Sequence, residues 1–236
     1  MQTVIYLHGF ASSPASKKAN IFRAPFEAQG VRYLVPDLNV PDFEHLTLTA
    51  MLERVAETIR SIPDDGPLYL VGSSMGALVA LHFYDRYRLK PEGSRVSKLV
   101  LLAPAFDFMD NRDRTMGEGW REKWEAQGSW PFFNYAQGRE VPVHYGLVKD
   151  IAHYDSYAVT LDIPVLIYHG TDDTVVHPDQ SHRFIEVYTR NVTLHWVDSD
   201  HELLNATQQI LEGMSAFFDL DLLSNSSNMS VRKERF

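Results

Sequence analysis

A chain of 236 residues with no cysteine excludes disulfide scaffolds, cysteine nucleophiles and thiolate-ligated metal centres. Its net charge of −9, from 22 basic and 31 acidic side chains, argues against nucleic acid as a partner, because phosphates need a basic footprint. The opening MQTVIYLHGF lacks a basic region ahead of a long apolar run, and no stretch is apolar for long enough to span a bilayer. The expectation is a cytoplasmic chain without a membrane span.

Strand-like and helix-like runs alternate along the chain. Residues 3–7 (TVIYL) are apolar and β-branched and predict a first strand, with Gly9 just beyond it. Residues 14–29 have helical spacing that stops at Gly30, and 31–36 (VRYLVP) predict a second strand. Along 46–62, Leu48, Leu52, Val55 and Ile59 recur at three- and four-residue steps, which marks an amphipathic helix. Residues 67–71 (PLYLV) predict a third strand closed by Gly72, and 74–87 a helix rich in Ala, Leu and Val. Three more strands follow at 98–103, 164–168 and 192–197, and a helix over 201–218 ends the pattern. Strands that alternate with helices imply βαβ units and a mainly parallel sheet of about six strands. Their continuous apolar character implies helices on both faces. In such a sheet, ligands bind beyond the C-terminal ends of the strands.

One region breaks the alternation. Residues 107–162 are longer than a simple crossover needs, and long insertions of this kind are usually functional or disordered. Trp120, Trp124, Trp130, Phe132 and Phe133 speak against disorder, so a partly helical cap is expected. Trp120 and Trp124 lie one turn apart, and each taken alone reads as packing the cap onto a single domain over 1–223; the competing reading has them line a pocket. The polar tail 224–236 (SNSSNMSVRKERF) is expected to be flexible.

The densest chemical signal is VGSSMGA at 71–77, which contains the G-x-S-x-G pattern around Ser74. It follows a predicted strand and opens a predicted helix, the context of a nucleophile elbow. A serine hydroxyl needs a base, and the base is expected on a loop after a later strand. His201, in VDSDHELL, holds that position. His8 and His169 end strands beside glycines and read as structural, and His195 reads as a packed residue inside a strand. An acid must orient the histidine. HGTDDTVV offers Asp172 and Asp173 after the fifth strand; spacing favours Asp173, and Asp172 stays open as an alternative. Two N–H donors should face the developing oxyanion: the amide of Met75, next after the serine, and the amide of Phe10 in LHGF.

LHGF, GSSMG, GTDDTVV and the DSDH histidine, in this order, resemble the α/β-hydrolase superfamily over nearly the whole chain. LHGFASSPASKKA is similar to small bacterial esterases of the YqiA-like group, and GSSMG with the Trp-bearing insertion to ABHD10-like acyl-ester and thioester hydrolases. The resemblance implies an α/β-hydrolase fold, no cofactor, and the roles above for Ser74, Asp173, His201, Phe10 and Met75; with no HExxH or comparable ligand cluster in the sequence, no metal is expected. Larger members open with an extra antiparallel hairpin, so the smaller sheet is expected here. The expected activity is a serine carboxylic ester hydrolase acting on short- to medium-chain, small-molecule acyl esters. A thioesterase or peptidase-type hydrolase uses the same triad, and a non-catalytic binding module is the weakest reading.

Overall fold

The computed structural model describes residues 1–223, so the tail at 224–236 lies outside the described residues. The elements, in order, are β1 (Thr3–Leu7), α1 (Lys17–Ala28), β2 (Arg32–Leu34), α2 (Leu48–Arg60), β3 (Leu68–Ser73), α3 (Met75–Tyr87) and β4 (Val96–Leu102). There follow α4 (Phe108–Met116), α5 (Trp120–Gln127), β5 (Ser129–Asn134), β6 (Arg139–His144), α6 (Gly146–Ile151), β7 (Val165–Gly170), α7 (Asp179–Val187), β8 (Val192–Val197) and α8 (Thr207–Phe218). Six strands form one sheet in the order β2-β1-β3-β4-β7-β8, and every pairing in it is parallel. These are the six strands that the sequence predicts. The chain runs outward from β1 to β2, then returns to β3 on the other side of β1. That reversal opens a crevice beyond the ends of β1 and β3.

Alternation along the strands sorts the core into two layers. Ile5, Leu7, Leu70, Leu99, Leu101 and Ile167 face α2, α3 and the insertion. Val4, Tyr6, Val71, Val100, Leu102 and Leu166 face α1 and α8. Helix starts follow their caps. The Ser16 side chain accepts the Ala19 N–H, so α1 begins at Lys17 and not at residue 14. Thr47 caps α2 in the same way, and Leu48, Leu52, Val55 and Ile59 are all buried.

Three expectations need correction. The last helix begins at Thr207; residue 201 lies in the loop before it, followed by a short 3-10 turn at Leu204–Ala206. Helix α7 was not expected, because DQSHRFIEV is polar and buries only one large side chain, Phe184. His195 is exposed, since β8 is an edge strand whose residues are covered unevenly; its ring stacks on Tyr168 at 5.2 Å.

The insertion between β4 and β7 combines α4, α5, an antiparallel β5–β6 hairpin and α6. Trp120 and Trp124 are both buried and stack at 5.4 Å. Trp124 Nε1 donates to the Val143 carbonyl at 2.7 Å, and Trp120 Nε1 to Asp113 at 2.8 Å. Both indoles are thus committed to packing and internal bonds. Among the described residues no helix is long and apolar enough to cross a membrane.

The turn between β3 and α3 leaves no room for side chains at its glycines. A Cβ on Gly76 would stand 2.0 Å from the Leu7 carbonyl oxygen, and one on Gly72 would stand 2.3 Å from the Gly76 carbonyl oxygen. Neither backbone can retreat without breaking the sheet. Gly76→Ala should therefore destabilise the fold by about 3 kcal/mol or more in urea titration. A loss under about 1 kcal/mol would show that the β1–α3 contact gives way freely.

A buried histidine sets an acid limit on stability. His82 of α3 is 1% exposed and meets Ser156 Oγ at 3.1 Å, while that hydroxyl donates to the Phe106 carbonyl at 2.8 Å. Burial holds its imidazole down at about 4, so the unfolded chain takes up this proton first as pH falls. Stability should decline from about pH 6.5 down to about 4 through this group. His82→Gln should flatten that part of the pH–stability curve; an unchanged slope would assign the acid sensitivity to other groups.

Candidate active site

Ser74 sits at the apex of the β3–α3 turn with φ +55° and ψ −117°, a left-handed conformation that a non-glycine residue holds only when its surroundings impose it. The surroundings do so from three sides. Its N–H donates to the Leu102 carbonyl at 2.8 Å, its carbonyl accepts from Ala77 and Ala105, and Gly76 locks the following residue against β1. Its side chain is only partly covered and so can be reached from solvent.

His201 reaches Ser74 from the loop after β8. Its Nδ1 donates to Asp173 Oδ2 at 2.7 Å, which leaves Nε2 as the acceptor facing Ser74 Oγ at 3.1 Å. The loop can approach because position 170 is glycine: a Cβ there would lie 2.3 Å from the Ser199 carbonyl oxygen. Asp173, and not the exposed Asp172, faces His201. Its Oδ1 accepts the N–H groups of Val175 and Val176 at 2.9 and 2.8 Å. Burial alone would raise its pKa. Hydrogen bonds from His169 and His201 outweigh that and hold the carboxyl well below the usual carboxylate range. In this arrangement the histidine can take the serine proton while the carboxylate fixes its tautomer.

The loop after β1 lies against the serine. The Cβ position of Gly9 falls 3.3 Å from Ser74 Cβ. His8 Nε2 accepts the Leu38 N–H at 3.0 Å, so its Nδ1 carries the proton and donates to the Gly9 carbonyl at 2.9 Å. In a trans peptide the C=O and N–H point in opposite directions, so anchoring the Gly9 carbonyl also aims the Phe10 N–H. Met75 opens α3 and contributes an N–H from the first turn of the helix, where amides lack intrahelical partners. Among the described residues neither amide has a hydrogen-bond acceptor.

Two neighbours were given no role at this site on the sequence. His169 Nε2 stands 3.3 Å from Asp173 Oδ2, and its Nδ1 meets Ser181 Oγ at 2.7 Å, so it braces the acid against α7. Its signal was a histidine four residues before the aspartate. Lys18 is buried, with Glu202 as its ionic partner at 4.0 Å, beside the loop of His201. Burial pushes its pKa down, against the pull of Glu202, Asp173 and Asp200. A lysine in an amphipathic helix reads as exposed, so nothing in the sequence marked it. Among the described residues no three His, Asp or Glu side chains are grouped to hold a metal ion.

Known proteins share this architecture. The palmitoyl-protein thioesterase ABHD10, mitochondrial, of Rattus norvegicus is 25% identical over 197 residues, which are 80% of this chain and 64% of that protein. The chain thus spans less than two thirds of that relative's length. The solved structure of α/β hydrolase domain-containing protein 10 from mouse superposes with a TM-score of 0.75 at 19% identity, covering 92% of this chain and 89% of the other. Est1E from Butyrivibrio proteoclasticus, solved with ferulic acid, superposes with a TM-score of 0.75 at 20% identity, over 92% and 88% of the two chains. These likenesses show the α/β-hydrolase fold. The model of the uncharacterised protein family UPF0227 matches residues 3–219, nearly the whole described chain, and the protein belongs to that family.

Proposed function

We propose that the chain is a serine hydrolase that cleaves carboxylic esters of short to medium acyl length. The observation that carries this reading is the continuous hydrogen-bonded line from Ser74 Oγ to His201 to Asp173, at 3.1 and 2.7 Å. Ser74 attacks the ester carbonyl while His201 accepts its proton. The tetrahedral oxyanion takes hydrogen bonds from the Phe10 and Met75 amides. His201 returns the proton to the departing alcohol, and an acyl-Ser74 ester remains. Water, deprotonated by His201, then releases the acid. Residues 107–162 act as the cap over this site, with Phe10, Phe108 and Phe132 in edge contact as its apolar wall.

A thioester is the second substrate class, favoured by the relationship to a palmitoyl-protein thioesterase. The same nucleophile serves both bonds, and a thiolate leaves without needing the proton from His201. A thioesterase would therefore tolerate loss of the acid role better than an esterase.

Purified protein should hydrolyse p-nitrophenyl butyrate, and Ser74→Ala should abolish turnover. Equal rates in the two proteins would reject the nucleophile. Comparison with butyryl-coenzyme A, followed by thiol release, assigns the bond: a higher kcat/KM for the thioester would favour the second class. Asp173→Asn should lower kcat by about 10³–10⁴ with little loss of fold.

A further inference from the structure

Arg112 of α4 holds its guanidinium over three aromatic rings: 5.3 Å from the ring centre of Phe10, 5.2 Å from Phe108 and 5.6 Å from Phe132. Nearby arginines are neutralised. Arg114 bonds Asp110 at 2.9 Å, and Arg121 pairs with Asp113. Among the described residues Arg112 has no carboxylate or carbonyl partner, and burial lowers its pKa with only the pull of Tyr135 against it. Aromatic faces attract a cation but offer its N–H groups nothing to bond. They fix a planar guanidinium in place and leave its in-plane donors open, and those donors match an oxoanion bidentately.

Phe10 ties this cation to the reaction centre. Its amide is the proposed oxyanion donor, the preceding Gly9 packs on Ser74, and its ring forms one wall of the arginine cage. We infer that Arg112 is a substrate-binding residue that recognises a carboxylate carried by the ester, so that charged esters are cleaved in preference to their neutral counterparts. A single guanidinium in a chain of net charge −9 suits a monoanion; a phosphate dianion calls for several donors.

The inference rests on the serine-hydrolase reading, and matched substrate pairs separate the two. On the acyl side the pair is p-nitrophenyl hemiadipate and p-nitrophenyl hexanoate. On the leaving-group side it is 4-butanoyloxybenzoate and 4-butanoyloxybenzamide, read by phenol release. In the wild type, the kcat/KM ratio of charged to neutral ester should exceed one in at least one pair. Arg112→Met keeps an apolar side chain among the rings and should lower that ratio about tenfold or more; Arg112→Lys should keep part of it. Taking the ratio within each variant cancels any general loss from a disturbed cap. A ratio unchanged by Arg112→Met in both pairs, or a wild-type ratio at or below one in both, overturns the inference. Turnover that survives Ser74→Ala instead overturns the serine mechanism, whatever the ratio.

Discussion

The contact between the β3–α3 turn and the end of β1 sets the geometry of everything around it. Gly76 lies so close to Leu7 that no side chain fits between them. That closeness bends the chain sharply enough to hold Ser74 at a positive φ. The bend also points its side chain into the crevice at the ends of β1 and β3, where the strand order reverses. The loop after β1 is placed by the same contact, and with it Gly9 and the Phe10 amide. One backbone approach thus positions the proposed nucleophile and both proposed oxyanion donors.

The other half of the site is assembled by hydrogen bonds. β7 and β8 deliver Asp173 and His201 on neighbouring loops, and Gly170 lets those loops touch. A buried carboxylate would lose ionisation to desolvation if left alone. Asp173 instead collects two backbone N–H groups and two imidazoles, so it keeps its charge where that charge orients His201. Lys18 adds a buried amine paired with Glu202 of the same loop. The electrostatics of the pair therefore depend on α1 and α7 as well as on the strands that carry them.

The insertion differs in kind from the sheet beneath it. Trp120 and Trp124 are spent on its own packing, with both indole N–H groups bonded internally. Its link to the site runs through a cluster of phenylalanines around Phe10 and the cation set among them. An apolar wall with one charged group gives orientation as well as affinity, because a misplaced substrate leaves the charge without a partner.

Much of this was legible in the chain itself. All six strands of the sheet were visible: the four central ones because strands covered on both faces are apolar without interruption, and the edge strands β2 and β8 because their segments are rich in β-branched and aromatic residues. The amphipathic run of α2 was visible from its three- and four-residue steps. Ser74 and His201 stood out because each follows a strand that must end at the ligand-binding edge. The sequence left Asp172 and Asp173 as rivals, since adjacent residues differ only in the direction they face, and direction belongs to the folded loop. It missed α7, whose polar residues cover a sheet end with a single phenylalanine. It misjudged His195, because strand order, which places β8 at the edge, is a property of the assembled sheet. It gave no sign of Lys18 or Arg112. What isolates a charge is the set of side chains that distant segments bring around it, and that neighbourhood exists only once the chain has folded.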